Sequence, residues 1–273
     1  MAPNALDRYI RSGHTRVEGW LHPTAIDVLS AILEAQNAAG MRGPVCEIGV
    51  HHGRLFIMLC LATSNGEQAV AYDLFGRQEE NIDGSGRGDL DILLVNLERH
   101  RCDRRRVKAV EVNSLALDAD RVVADCGGRP RAFSIDGGHT AEITCHDLTT
   151  AHGSICPGGV IILDDFFNEQ WPGVAEGTYR YMGSKPGLIP IAIAGNKVLL
   201  TDDAQWAEQY KRSLDSLTRK YVAKTSRLFG HEVVVLRSEP GIRRPDFRAA
   251  LGACYRRLLP LRMRAGIRRL FDC

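Results

Sequence analysis

The sequence lacks the paired cysteines and the long apolar runs that define several classes of protein. Its eight cysteines lie far apart without a CxxC pair, so neither a zinc site nor a disulfide framework is indicated. No apolar run approaches the roughly 20 residues that span a bilayer, and no early stretch has the pattern of a secretory signal. We therefore expect a cytoplasmic protein without a transmembrane segment.

The chain as a whole has no strong excess of positive or negative charge, but its C-terminal segment is strongly basic. The formal net charge is +2, whereas residues 243–272 contain nine arginines against Asp246 and Asp272. Such a tail can meet an acidic partner, an anionic membrane surface or nucleic acid, although no clear nucleic-acid partner is indicated. A solvated helix face that packs its Leu and Ile residues on the domain explains the pattern better.

Short apolar runs with strand character alternate with segments that can be helical. The runs cover residues 45–50, 69–74, 107–112, 131–136 and 159–165. This alternation predicts an α/β fold with a mostly parallel sheet covered on both faces. Residues 188–202 then form two apolar runs joined at Gly195-Asn196, which is typical of an antiparallel hairpin that closes the sheet.

Three regions follow from this pattern. They are a helical cap at residues 1–40, a main domain at 41–222 and an extension at 223–273 with a basic helical tail. Residues 202–222 are expected to be helical, and residues 231–236 are a candidate for an extra strand.

The ends of the first three predicted strands carry candidate cofactor-binding residues. In "EIGVHHG" (47–53), Glu47 precedes Gly49 and Gly53, whose spacing lets the backbone turn sharply towards a ligand. Asp73 ends the second strand, where its carboxylate can accept hydrogen bonds from ribose hydroxyls. Asn113 and Ser114 end the third strand and are candidates for an adenine pocket, with helix capping as the alternative. The glycine-rich segment 75–91 is expected to be a mobile loop at the same edge of the sheet.

Four motifs in order, "VCEIGVHHGRLF", "AYDLF", "SIDGGHT" and "GGVIILDDFF", resemble those of class I S-adenosylmethionine-dependent methyltransferases. More narrowly, the pattern is similar to the metal-dependent O-methyltransferases of the macrolide-sugar and natural-product tailoring group. The resemblance covers roughly residues 18–202. It implies a Rossmann-like, seven-stranded sheet in the order 3-2-1-4-5-7-6, with the cofactor over strands 1 and 2 and the acceptor over strands 4 and 5.

The resemblance also implies a metal site and a base. Asp136, Asp164 and Asp165 are the expected ligands of Mg²⁺, and Asp136 is assigned to the cofactor site as well. Three acids at the ends of neighbouring strands repel one another unless a cation is present, and an all-oxygen set suits magnesium. The alternative makes Asp165 a helix cap and Asp164 a buried hydrogen-bond acceptor. His139 is the expected catalytic base, with His51 and His52 as weaker candidates.

The segment after the acids is expected to form the acceptor wall. Trp171 and Tyr179 offer flat faces for a sugar ring, with core packing as the alternative, and Glu176 can bind a hydroxyl group. The sequence thus predicts a Mg²⁺-dependent O-methyltransferase that acts on a sugar or glycosylated small molecule. A noncatalytic S-adenosylmethionine-binding or assembly protein is the second hypothesis, and an NAD-linked oxidoreductase is the third. The sequence specifies neither the acceptor nor whether identical chains associate.

Overall fold

The computed structural model describes residues 4–64 and 66–238. Residues 1–237 form the first of two compact units. The second unit, residues 238–273, lies outside the described residues except for Ser238, and so does the predicted basic tail.

Nine strands form one sheet within the described part of the chain. They are β1 (Val45–Ile48), β2 (Ala69–Asp73), β3 (Val107–Glu111), β4 (Ala132–Ile135), β5 (Val160–Leu163), β6 (Ile189–Ala194), β7 (Lys197–Thr201), β8 (Val222–Leu228) and β9 (His231–Arg237). Their order is β3-β2-β1-β4-β5-β7-β6-β9-β8. The predicted order of the first seven strands is therefore confirmed, including the antiparallel β6–β7 hairpin.

Helices cover both faces of the sheet. They are α1 (Ala5–Arg11), α2 (Pro23–Ala38), α3 (Phe56–Ala62), α4 (Leu90–Arg99), α5 (Ala119–Cys126), α6 (Ala141–Ser154), α7 (Pro172–Ser184) and α8 (Ala204–Ser213). Every residue of β1, β4 and β5 is buried, which explains why these strands read as continuous apolar runs rather than alternating ones. Side-chain caps fix where helices begin; for example, Thr140 accepts a hydrogen bond from the Ile143 amide at the start of α6.

The hairpin of β8 and β9 extends the sheet beyond the seven predicted strands. β9 pairs in parallel with β6, which confirms the strand expected at residues 231–236. The helix expected at residues 202–222 was wrong at its end, because α8 stops at Ser213 and β8 begins at Val222. β8 is an edge strand that is mostly exposed, so its sequence lacks the apolar alternation that marks a strand. Residues 222–237 thus lie in the sheet, and the boundaries at residues 40 and 222 stay a prediction.

Two further features agree with the composition. The longest helix of the described residues, α2, has 16 residues, and none is long and apolar enough to cross a bilayer. The six cysteines within the described ranges are free thiols, as expected from their spacing.

Candidate functional site

The loop after β1 brings the glycine motif against the end of β4. Gly49 has φ +78°, and a Cβ atom built there would lie 1.8 Å from the backbone oxygen of Asp136. Its amide donates to the Tyr72 carbonyl at 2.9 Å, which ties the loop to β2 as well. Gly53 has φ +90° and packs on Leu93 of α4, where a Cβ atom would lie 2.5 Å from the leucine Cδ1. Gly49 therefore permits the close approach of three strand ends, whereas Gly53 permits close packing of a helix.

Asp73 ends β2 and faces the same loop. Its carboxylate accepts hydrogen bonds from the amides of His51 and Phe75, each at 2.8 Å. Burial raises the pKa of Asp73, and these backbone hydrogen bonds oppose that rise. The carboxylate keeps lone pairs for a ligand, because each oxygen can accept more than one hydrogen bond.

Glu47 is buried inside β1 beneath the glycine loop. One of its carboxylate oxygens accepts a hydrogen bond from the Ser134 hydroxyl at 3.0 Å, and the other has no partner among the described residues. Burial raises the pKa of Glu47 to about 8, although the charge of Lys197 opposes the rise. The raised pKa favours the protonated form of Glu47, which can donate a hydrogen bond.

Asn113 and Ser114 follow β3 and line a cavity at this edge of the sheet. Asn113 caps a short 3-10 turn by accepting from the Leu115 amide at 3.1 Å, and its side-chain amide donates to Glu80 at 3.1 Å. The capping alternative is thus observed. Asn113 therefore caps the turn and lines the cavity at the same time.

The three predicted metal ligands follow the carboxyl ends of β4 and β5. Ile135 and Leu163 are register partners, so Asp136 and Asp164 follow at the same level of two adjacent strands. Asp165 has φ +56°, so the chain leaves the strand direction between the two consecutive acids. This backbone turn lets Asp164 and Asp165 face the same region, which two successive residues of a regular strand cannot do.

A lysine that the sequence did not point to lies in this acid cluster. Lys197 begins β7, is 1% exposed, and its Nζ forms an ion pair with Oδ2 of Asp164. Asp164 Oδ1 accepts from the Asp165 amide at 2.8 Å, so both of its oxygens are engaged. Burial raises the pKa of Asp136, and the neighbouring charge of Asp164 raises it further.

His139 bridges two carboxylates. Its Nδ1 lies 2.9 Å from Oδ2 of Asp83, and its Nε2 lies 3.1 Å from Oδ2 of Asp165. The same oxygen of Asp83 accepts the His139 amide at 2.7 Å. The imidazole also stacks on Trp171, with 4.3 Å between ring centroids and 18° between ring planes. Burial would lower the pKa of His139, but its hydrogen bonds to Asp165 and Asp83 raise it above the usual range.

The donor set at this edge of the sheet fits a divalent cation. Asp136, His139 and Asp165 each offer one ligand atom, and these atoms lie within 4.8 Å of one another. Asp164 is not a member of this group, and its carboxylate is paired with Lys197. The structure therefore brings two of the three predicted ligands together with the predicted base.

One cavity of about 540 Å³ joins these residues. Its lining includes almost all of the predicted site, namely Glu47, Gly49, Asp73, Asn113, Ser114, Asp136, His139, Asp164, Asp165 and Trp171. Asp83 and Ser85 bring the glycine-rich loop into the same lining, and His51 contributes as well.

Three predicted site residues lie outside this lining. Gly53 packs on α4, as described above. Glu176 forms an ion pair with Arg180, and Tyr179 is 58% exposed beside Phe229. The buried face of α7 consists of Val174, Gly177, Thr178 and Tyr181, so the helical period turns Glu176 and Tyr179 to the opposite face.

The comparisons with known proteins identify the domain. Residues 46–166 match the family model described as a methyltransferase domain. The O-methyltransferase NovP aligns with a TM-score of 0.54 at 14% identity, covering 65% of this chain and 79% of NovP. Cofactor-bound Rv0187 from MTB aligns with a TM-score of 0.51 at 19% identity, covering 74% of this chain and 91% of Rv0187. At these identities the two structures show the fold. No curated protein matches the chain.

Residues 46–166 are thus a methyltransferase domain, and the resemblance to class I S-adenosylmethionine-dependent methyltransferases is confirmed. The chain therefore contains a methyltransferase domain, and S-adenosylmethionine is the cofactor of the class that this domain resembles. Neither the assembly-protein hypothesis nor the oxidoreductase hypothesis is favoured.

Proposed function

We propose that the enzyme transfers the sulfonium methyl group of S-adenosylmethionine to a hydroxyl group of a small molecule, as a Mg²⁺-dependent O-methyltransferase. The observation that carries the proposal is the continuous cavity from Gly49 and Asp73 to Asp136, His139 and Asp165. A cofactor held over β1 and β2 and a hydroxyl group held over β4 and β5 would share this one space.

The reaction is an in-line displacement at the methyl carbon. The acceptor oxygen forms a bond to this carbon while the carbon–sulfur bond breaks, and S-adenosylhomocysteine leaves as a neutral thioether. Most of the rate enhancement comes from holding the acceptor oxygen in line with the methyl group. On the cofactor side, Asp73 would accept hydrogen bonds from the ribose hydroxyl groups of S-adenosylmethionine. Glu47 would lie near the methionine portion of the same molecule.

His139 would take the proton of the acceptor hydroxyl. Asp83 holds Nδ1 and the backbone amide of this residue, and Trp171 fixes the plane of its ring. Nε2 faces the cavity and pairs with Asp165, so it would accept a substrate proton once its hydrogen bond to Asp165 is broken. A positioned base contributes about 10²- to 10⁴-fold in rate.

Asp136 and Asp165 would hold Mg²⁺, whereas Asp164, the third ligand expected from the sequence, is paired with Lys197. Magnesium is commonly held by one or two carboxylates and keeps its other positions for water and substrate. When bound, the ion would make the acceptor hydroxyl more acidic. An imidazole ligand instead suits a transition metal, so ligation by His139 is the competing arrangement.

The proposed acceptor is a sugar or a glycosylated small molecule. The acceptor end of the cavity is lined by Trp171, one face of which stacks on His139, and by Asn168, Gln170 and Asn196, of which the two asparagines also donate to Asp165. An aromatic plane flanked by hydrogen-bonding groups suits a ring that carries several hydroxyl groups.

The test is methyl transfer with S-adenosylmethionine, followed by mass spectrometry across glycosylated and phenolic acceptors. We expect a product that gains one methyl group on oxygen from at least one glycosylated acceptor. Parallel calorimetry should show binding of S-adenosylmethionine but not of NAD. Binding of S-adenosylmethionine without transfer to any hydroxyl acceptor would support the noncatalytic hypothesis instead.

A further inference from the structure

Lys197 occupies a position where an ordinary lysine is not expected. It follows the Gly195-Asn196 turn and begins β7, which pairs with β5 through Leu163 and Val198. One step further along this antiparallel ladder, Lys197 lies opposite Asp164. The lysine is 1% exposed and its ammonium group contacts the Asp164 carboxylate. A charge is kept at such a buried position only when it is paired.

We infer that Lys197 is a built-in cation of this site, which neutralises Asp164 and withholds it from the metal. The Asp164 carboxylate is paired with the buried ammonium of Lys197, whereas the side-chain partners of Asp165 are the neutral amides of Asn168 and Asn196 and the imidazole of His139. The acids left to face a metal are Asp136 and Asp165, in agreement with the cluster whose ligand atoms lie within 4.8 Å of one another. The inference rests on the proposed function only in assuming that the site binds a divalent cation.

The expected consequence is a metal site that is weaker than its acid content suggests. A fixed ammonium beside the metal repels it, and the pairing removes one carboxylate from the ligand set. Replacing Lys197 with an uncharged residue of similar shape therefore strengthens metal binding in two ways: it removes the repulsion and it returns a carboxylate to the ligand set. It also leaves the buried Asp164 carboxylate without its cationic partner, which destabilises the fold until a metal takes the place of the ammonium.

Lys197→Met tests this directly, without any methyl acceptor. Mg²⁺ and Mn²⁺ are titrated into the wild-type protein and the variant by calorimetry, and thermal unfolding is followed in EDTA and in Mg²⁺. We expect the variant to bind at least one of the two ions at least about tenfold more tightly. Its unfolding temperature should fall in EDTA and recover with Mg²⁺ by more than that of the wild type.

Two controls separate the charge from packing. Lys211→Met removes a lysine on α8 that pairs with Glu208 and should leave metal affinity unchanged. Lys197→Met/Asp164→Asn removes both partners, so it should regain stability in EDTA and lose the added metal affinity. If Lys197→Met does not fold in EDTA, Mg²⁺ should restore its folding while the double variant folds without metal.

Three results would overturn the inference. They are wild-type or weaker metal affinity in Lys197→Met, failure of metal to stabilise this variant, and a double variant as unstable as Lys197→Met alone. The last result would mean that the lysine is needed for packing rather than for the charge of Asp164. Failure of the proposed function is a separate outcome, because it would show as absent methyl transfer with the metal titrations unaffected.

Discussion

Asp83 on the glycine-rich loop accepts two hydrogen bonds from His139, through one oxygen atom. The backbone amide of His139 lies 2.7 Å away and Nδ1 lies 2.9 Å away. The other Asp83 oxygen accepts from the Ser85 amide at 2.9 Å, which fixes the carboxylate within the loop. The loop and the proposed base are therefore one unit, and the position of the loop determines which way the imidazole faces.

Asp83→Ala should lower kcat while leaving the affinity for S-adenosylmethionine nearly unchanged. Partners that orient a functional histidine are worth roughly 10- to 100-fold. Steady-state kinetics and calorimetry on the same preparation measure both quantities. Glu79→Ala, at an exposed position nearby in the same segment, is the control. Equal losses in both variants would mean that Asp83 acts only through general order of the loop.

Gly49→Ala should abolish cofactor binding or prevent folding. A Cβ atom at this position would lie 1.8 Å from the Asp136 oxygen, a contact that requires the ends of β1 and β4 to separate. Gly40→Ala is a matched control, because Gly40 has the same φ of +78° but no atom within 4 Å of its built Cβ. Thermal unfolding and calorimetry of both variants separate backbone strain from the clash. Equal unfolding temperatures and cofactor affinities in the two variants would show that the close approach at Gly49 contributes to neither stability nor binding.

Asp73→Ala should weaken the binding of S-adenosylmethionine by roughly ten- to a hundredfold, since a hydrogen bond to a charged group is worth about 1.5 to 3 kcal/mol. Asp73 also holds the amides of His51 and Phe75, so Asp73→Asn is needed as a variant that keeps acceptor capacity. Calorimetry on folded protein measures the affinity of each. Unchanged affinity in Asp73→Ala would place the ribose elsewhere.

Glu47 should make the fold less stable as the pH rises. Its pKa is about 8 in the folded protein against an ordinary value of 4.5, so the folded state holds a proton that the unfolded chain has lost. Stability is then fully present below about 4.5, decreases as the pH rises towards about 8, and is constant above that. Glu47→Gln removes this dependence, so its unfolding free energy relative to the wild type should increase over the same range.

Chemical denaturation at several pH values measures this difference. Glu98→Gln, at an exposed position of α4, supplies the control. A difference between Glu47→Gln and the wild type that is independent of pH would show that Glu47 is an ordinary ionised carboxylate.

The sequence predicted those parts of the molecule that depend on local patterns. Buried parallel strands read as apolar runs, and polar residues at their ends mark one edge of the sheet, so Asp73, Asp136 and His139 could be proposed together, whereas the sheet order came from the resemblance to methyltransferases. Lys197 could not, because its partner Asp164 lies 33 residues away and the two meet only through the β5–β7 pairing. A single lysine before an apolar run has no signal of its own.

The sequence also could not predict the role of Asp83 or the exposed face of α7. Asp83 lies in a polar loop with several similar residues, and nothing in the sequence selects it as the partner of His139. Glu176 and Tyr179 lie close to Trp171 in sequence, but α7 begins at Pro172 and its helical period directs them away from the cavity. Proximity along the chain therefore predicted the segment of the acceptor wall but not its side chains.

The central claim is that Asp136 and Asp165 hold the metal while His139 serves as the base. It is tested most directly by measuring Mg²⁺ affinity and methyl transfer in Asp165→Ala and His139→Ala, with EDTA-treated wild-type protein beside them. We expect Asp165→Ala and EDTA to abolish transfer while S-adenosylmethionine still binds. His139→Ala should keep its Mg²⁺ affinity and lose about 10²- to 10⁴-fold in rate. Loss of metal binding in His139→Ala would make this residue a ligand, and full transfer in EDTA would contradict the metal mechanism.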